Sequence, residues 1–289
     1  MPGMREQGSR TAQYTALARM LETIRPRPRL FEDPYAARFL GLQRLTPLAG
    51  LAPVCRAIER GIDRRYPTGQ RGNAVIRTRV IDDWTVEALA DGAEQVVLLG
   101  AGLDSRAYRM PAMSRVPVFE VDHPATQAAK QVRVHRHVPA AQRGHVRFVA
   151  VDLRQDHLDP ALRAAGFQTA PTVVIWEGVT PYLDAAAVDA TMDWFAGNTA
   201  SGSRLIFTYL DLHGDAAGGV SDVAALFSDV GEPMTFGLRP DELDGYLTGH
   251  DLTLIRSMSS VDAARHHLHP IGRHDLVGTV SHIAVAGRP

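Results

Sequence analysis

Two carboxylates close the apolar run Val118-Phe119-Glu120-Val121-Asp122. The second lies twenty residues beyond Gly102 in Gln95-Val96-Val97-Leu98-Leu99-Gly100-Ala101-Gly102-Leu103-Asp104. The chemistry this spacing offers is recognition of a nucleoside. Backbone without Cβ approaches a ligand closely, and a carboxylate at the next strand end accepts hydrogen bonds from ribose hydroxyls. Glu120 and Asp122 share a strand face, so either can meet the ribose. Asp152, followed by Leu153, closes the run 146–151. There an aspartate can receive an adenine amino group while the next backbone N–H serves a ring nitrogen. Glu177 closes a fourth run, 172–176. Arg77 and Arg79 precede the first run, and an arginine fork binds carboxylates bidentately. Two residues apart on a helix they point in different directions, so one of them reaches such a ligand.

The ligand class follows from the turn. A pyrophosphate-binding loop has a third glycine three residues after the second, which lets helix and strand pack closely around the phosphates. Ser105 stands there instead, preceded by Asp104, and an acid at a helix entrance opposes a pyrophosphate. A cationic cofactor is better tolerated. S-adenosylmethionine carries a sulfonium, an ammonium and one carboxylate, and therefore wants several acids and a single basic anchor. A nicotinamide dinucleotide is the distant alternative, separable by which cofactor raises thermal stability.

These groups need a scaffold that brings strand ends together. Residues 1–92 read as an arginine-rich helical cap, with helices over 11–24, from Asp33 (N-cap) and Pro34 (N1) to Leu40, over 52–65 and over 73–90. Residues 93–289 alternate short apolar strands with helical stretches. The strands are 95–99, 117–121, 146–151, 172–176, 203–209, 252–257 and 280–286; the helices are 105–110, 124–137, 184–198 and 239–248. Alternation of this kind predicts one compact α/β unit, a mostly parallel seven-stranded sheet covered on both faces. The connection between the last two strands shows no clear helix, which permits an antiparallel final strand. The stretch 211–219, with three glycines, is expected to cover the site together with the helix around Tyr14, Leu17 and Met20.

Leu98-Leu99-Gly-Ala-Gly-Leu-Asp-Ser-Arg-Ala-Tyr-Arg109, Phe119-Glu-Val-Asp-His-Pro124, Val151-Asp-Leu153 and Trp176-Glu-Gly-Val-Thr-Pro-Tyr-Leu183 together resemble the leucine carboxyl methyltransferase family, in particular its bacterial branch, which includes antibiotic-pathway O-methyltransferases. Asp33-Pro-Tyr-Ala36 and Arg77-Thr-Arg-Val-Ile-Asp-Asp83 match the same group. The resemblance implies a Rossmann-like class I methyltransferase fold with an N-terminal helical cap, and S-adenosylmethionine as cofactor. It also implies roles. Arg77 holds the cofactor carboxylate, and Gly100, Ala101 and Gly102 bring backbone against the methionine portion. Asp122 takes the ribose, Asp152 and Leu153 the adenine, and Glu177 the ammonium. Eukaryotic members methylate the C-terminal carboxylate of a phosphatase subunit; no feature of this chain identifies such a partner.

Lys and Arg number 31 against 32 Asp and Glu. That balance supplies no clamp for nucleic acid and no attraction to an acidic membrane. A DNA methyltransferase would carry an Asn/Asp-Pro-Pro-aromatic motif where Glu177-Gly-Val-Thr-Pro-Tyr182 stands. No apolar run approaches the roughly 20 residues of a membrane span. With one cysteine and no apolar leader in residues 1–10, a cytoplasmic protein is expected. His266, His267, His269 and His274 read as a solvated loop, and no metal is expected.

Methyl transfer from a sulfonium asks the protein mainly to hold the nucleophile behind the methyl group. A carboxylate is ionised at neutral pH and needs no base, whereas a phenol of pKa about 10 benefits from one. No catalytic constellation stands out, so the expected product is a methyl ester on a small-molecule or peptide carboxylate. Methylation of a phenol or hydroxyl is the alternative. Tyr182 could face the acceptor, and His123 or His213 could act as base; a packing tyrosine and ordinary loop histidines are the plainer readings. A non-catalytic protein that senses S-adenosylmethionine is the remaining class, and would methylate nothing in an extract.

Overall fold

A computed structural model describes residues 10–212 and 234–289. Within them, five helices precede the first strand: α1 (Arg10–Ile24), α2 (Ala36–Phe39), α3 (Thr46–Ala49), α4 (Ala52–Arg65) and α5 (Gln70–Ala90). Strands and helices then alternate through β1 (Gln95–Leu99), α6 (Arg106–Arg109), β2 (Val118–Asp122), α7 (Pro124–His137), β3 (Val146–Ala150), α8 (Leu158–Ala164), β4 (Thr172–Trp176), α9 (Ala185–Asn198) and β5 (Arg204–Leu210). The described chain continues with α10 (Leu243–Thr248), β6 (Thr253–Ser259), α11 (Ser260–His267) and β7 (Ser281–Gly287).

The strands form one sheet in the order β3-β2-β1-β4-β5-β7-β6. The first five pair in parallel, and β7 runs antiparallel to both β5 and β6. Position in the sheet accounts for the pattern of each strand. Central β1 and β4 are buried at every residue because helices cover both faces. Edge strands β3 and β6 alternate with exposure. Successive side chains in β1 serve opposite cores. Val96 and Leu98 pack with Ile76, Val80 and Trp84 of α5, while Val97 and Leu99 pack with Phe119, Trp176 and Phe195. Trp176 is fully buried and is a core residue.

Strand order reverses between β1 and β4: β2 and β3 lie to one side, β5, β7 and β6 to the other. Chain leaving the carboxyl ends of these neighbours diverges, and the gap between is where an open α/β sheet takes its ligand.

Several sequence expectations need correcting. The β6–β7 connection does contain a helix, α11. Its start is capped by the Ser259 hydroxyl, which accepts from Asp262 N at 3.0 Å, and Arg265, His266 and His267 fill its last turn. Eight residues are too few for a periodic signal, so caps carry the information. The nearby histidines form two separate ring contacts, His266 with His267 and His269 with His274. Asp33 does not directly precede the short α2. Its Oδ1 accepts from both Tyr35 N and Ala36 N at 3.0 Å, so it closes the turn leading into that helix. Helices α3 and α8 were not expected from sequence. Met20 and Leu17 pack with Ile58 and Ile62 of α4. His213 and positions 213–219 lie outside the described residues. Among the described residues, no helix is long and apolar enough to cross a membrane.

Candidate active site

The tip of β1 is a turn that demands glycine. Gly100 and Gly102 have φ of 65° and 42°. A Cβ on Gly100 would overlap Val179 Cγ2, and one on Gly102 would stand 3.0 Å from the Ala12 methyl of α1. Ala101 N donates to Val121 O at 3.0 Å, Asp104 N to Ala101 O at 2.7 Å, and Gly102 N to Asp122 Oδ2 at 2.5 Å. With these donors facing protein acceptors, the turn does not form an anion nest for a pyrophosphate.

Asp122 and Glu120 separate clearly. Asp122 accepts from Gly102 N and, through Oδ1, from His123 N at 2.7 Å. Burial pushes its carboxyl up, while the two N–H bonds pull it back in part. A carboxylate has about four lone-pair sites, so Asp122 keeps acceptor capacity for two hydroxyls. Glu120 is fully buried instead, 2.9 Å from Lys130 Nζ of α7. Lys130 also donates to Ala101 O at 3.2 Å and so ties β2 to the glycine turn. Glu120 is a structural anchor, and Asp122 is the acid at the turn.

At the tip of β4, Glu177 sits between two guanidiniums. Arg77 Nε donates to Oε1 at 2.7 Å and Arg106 Nη1 to Oε2 at 2.6 Å. Burial opposes the charge, but Arg106 and then Arg77 outweigh it and hold the carboxyl below its ordinary range. Arg77 Nη2 reaches Thr15 of α1 at 3.1 Å. Arg79 points away, pairing with Asp83 at 2.9 Å and donating to Leu30 O. Of the two arginines weighed from sequence, Arg77 is the one at the strand tips.

Arg106 is the residue that sequence reasoning missed. Its side chain is 1% exposed and joins Asp82, Asp104 and Glu177 at 2.7, 2.5 and 2.6 Å. Asp104 is thus held well below the usual carboxylate range: burial opposes its charge, and Arg106 is the chief compensating group. The acid that argued against pyrophosphate carries its own counter-ion, so the engaged N–H groups of the turn are the better argument. The available signal was the spacing Asp104-Ser-Arg106; the other two partners are remote in sequence.

Asp152 lies just past β3. Its carboxylate accepts from Arg154 N at 3.1 Å and Gln155 Nε2 at 3.2 Å, so it also caps the turn that follows. Leu153 packs against the core on that side. His123 caps α7, its Nδ1 accepting from Ala125 N at 3.3 Å.

Beyond Arg77 and Gly178 opens a cavity of about 310 Å³, reached from the ends of β4, β5 and β7. Tyr14, Tyr182, Thr208, Tyr209 and His282 are among its walls. Arg10 and Arg77 line it, and no aspartate or glutamate does among the described residues. His282 stacks on Tyr209 with ring centroids 5.1 Å apart, and burial pushes its pKa down, leaving it neutral at pH 7.

The donor set fits S-adenosylmethionine. Glu177 and Arg77 can exchange their mutual ion pair for an ammonium and a carboxylate, and the glycine turn forms a cradle that a Cβ would fill. Sheet order, glycine turn and acidic strand tips define the class I methyltransferase fold. The chain belongs to the leucine carboxyl methyltransferase family, whose model matches residues 12–196. It is 38% identical over 246 residues to a Streptomyces coelicolor protein described as an S-adenosyl-L-methionine-dependent methyltransferase, covering 83% of this chain and 81% of that one. A Mycobacterium marinum protein of the same description is 39% identical over 203 residues, 68% of this chain; the match spans only 61% of that relative. A solved Thermobifida fusca structure described as a methyltransferase superposes with TM-score 0.58 at 16% identity, covering 94% of each chain. The relatives make S-adenosylmethionine the cofactor.

Proposed function

We propose that this protein transfers a methyl group from S-adenosylmethionine to a carboxylate oxygen of a small-molecule or peptide acceptor, forming a methyl ester in secondary metabolism. The observation that carries this reading is the cavity beside Arg77 and Gly178, which among the described residues is lined by no acid and is bordered by Arg10, while Arg77 is committed to the cofactor carboxylate. An anionic acceptor is favoured there over a neutral one. The cytoplasm remains the proposed location, consistent with a lone buried thiol, Cys55, whose pKa burial raises to about 11.

In this reading Arg77 takes the cofactor carboxylate and Glu177 its ammonium. Gly100, Ala101 and Gly102 let backbone lie against the methionine chain. Asp122 accepts from the ribose hydroxyls, and Asp152 with Leu153 N–H reads the adenine. When bound, the cofactor supplies an electrophilic methyl on a sulfonium. Arg77 and Gly178 border both the strand tips and the cavity, so the acceptor oxygen is held at that end. The new oxygen–carbon bond would replace the methyl's bond to sulfur, whose electron pair would stay with the departing thioether, while Arg77 and Glu177 hold the methionine end. A carboxylate has no proton to lose, so the walls need only position it and exclude water. Tyr182, in the cavity wall, contacts the acceptor.

A phenolic acceptor is the second reading, favoured by one observation: neutral His282 in the cavity wall can accept a proton. Incubation with methyl-labelled cofactor and a metabolite extract separates the two. The expected product loses its label in mild base, as an ester does. A base-stable label would identify an ether and replace the ester reading, and no labelled product would leave a cofactor-binding protein without transfer activity.

A further inference from the structure

Four of the chain's seven tyrosines, Tyr14, Tyr66, Tyr182 and Tyr209, border the cavity, and His282 joins them. Random placement would scatter them through the core and surface. Instead they form two paired walls. Tyr14 and Tyr66 meet edge to face, with centroids 5.3 Å apart and planes at 79°. His282 is backed by the fully buried Tyr209, stacked on it at 5.1 Å and 18°. Tyr182 stands on the turn after β4, and Arg77 and Gly178 mark the end nearest the strand tips.

Such walls discriminate between apolar bodies of equal size. An aromatic ring finds partners for its face and its edge, whereas a saturated ring gains only area burial. The volume also limits the guest. About 310 Å³ lies at the small end of ligand sites, which run from about 300 to 1,000 Å³. It suits one ring with a short side chain. Gln70, Ser260 and Ser281 add polar wall atoms within reach of a ring substituent.

We infer that the acceptor is a small aromatic carboxylic acid, its ring held among Tyr14, Tyr182 and His282 and its carboxylate directed to the Arg77–Gly178 end. This rests on the ester reading above for the oxygen and on the cavity walls for the ring.

The test uses two acids of like size, trans-cinnamate and 3-cyclohexylpropanoate, titrated calorimetrically into protein saturated with S-adenosylhomocysteine. Cinnamate should bind about tenfold more tightly, equivalent to about 1.4 kcal/mol. The variants Tyr182→Leu and His282→Leu should each bring that ratio toward one without changing affinity for S-adenosylhomocysteine. Equal affinities, tighter binding of the saturated acid, or no binding of either would overturn the aromatic assignment. So would a ratio that survives both substitutions. A second arm supplies both acids and 4-ethylphenol with methyl-labelled S-adenosylmethionine. Base-labile product from cinnamate upholds the inference. Equal ester formation from the saturated acid removes the ring requirement while keeping the ester reading, and base-stable product from 4-ethylphenol alone removes the ester reading itself.

Discussion

Arg106 does at residue scale what no pairwise contact could: one guanidinium serves Asp82, Asp104 and Glu177 at once. Removing it leaves three carboxylates short of a counter-charge in a buried site, a loss of about 3–5 kcal/mol for a broken buried pair. We expect Arg106→Gln to lower unfolding free energy by that amount in urea titrations. Arg106→Lys should recover only part, because an ammonium cannot span a fork geometry. A loss below about 1 kcal/mol for Arg106→Gln, the range of exposed pairs, would show that the cluster adds nothing to the fold. Arg77→Ala and Asp122→Ala test the crevice instead. Each should weaken S-adenosylhomocysteine binding at least tenfold by calorimetry, and unchanged affinity in both would remove the proposed placement. Types and spacings in the chain pointed to Asp122 and Glu177 because strand ends announce themselves, whereas on helix α5 spacing alone left Arg77 and Arg79 as equal candidates. Arg106 stayed hidden because Asp82 and Glu177 lie 24 and 71 residues away.

Among the elements, the turn after β1 is the least replaceable. Gly100→Ala meets two obstacles, a φ of 65° and overlap with Val179. Gly166, with φ of 98° and nothing near its missing Cβ, meets only the first. Gly166→Ala should therefore cost about 1–2 kcal/mol, the strain of a left-handed residue. Gly100→Ala should cost more, and it alone should reduce cofactor affinity. Thermal unfolding with and without S-adenosylhomocysteine compares them; equal losses would mean that Val179 yields freely. The strands were legible because continuous burial makes them unbroken apolar runs, and β1 and β4 came out residue for residue. Other strand bounds moved by one or two positions, since strand ends depend on neighbours in the sheet. Helix α11 and four-residue α3 were not legible, because pieces so short are held by caps and tertiary contact rather than by periodicity.

Over the whole molecule, charge ties the first helix to the last connection. Glu22 of α1 receives both Nη atoms of Arg273, at 2.6 and 2.9 Å. Arg273 also pairs with Asp275, which bonds Arg71 of α5 at 2.9 Å; Arg71 in turn grips Asp63 of α4. Helix α5 meanwhile lies within the main core. We therefore propose that the described part of residues 1–92, from Arg10 onward, caps the crevice as a part fixed to the described part of the 93–289 unit rather than as a freely hinged lobe. Burial works against the Asp275 charge, but Arg273 and Arg71 prevail and bring its carboxyl down to about 2. Its contribution, about 2 kcal/mol, is fully present above the unfolded value near 4 and is lost as pH falls toward 2. Asp275→Asn should then be less stable than the parent at pH 7 by about 2 kcal/mol or more, with the gap closing as the pH of urea titrations is lowered to 2.5. A gap that persists undiminished would assign the loss to something other than ionisation. The antiparallel strand β7 has a consequence of another kind. It is threaded between β5 and β6, yet β5 leaves the ribosome about 70 residues ahead of it. At 5–20 residues per second, the flank of β5 waits for several seconds with an open hydrogen-bonding edge. Vectorial synthesis thus delivers last the strand that joins edge strand β6 to the rest of the sheet, and a nascent chain stalled before Ser281 would present two unzipped margins to chaperones.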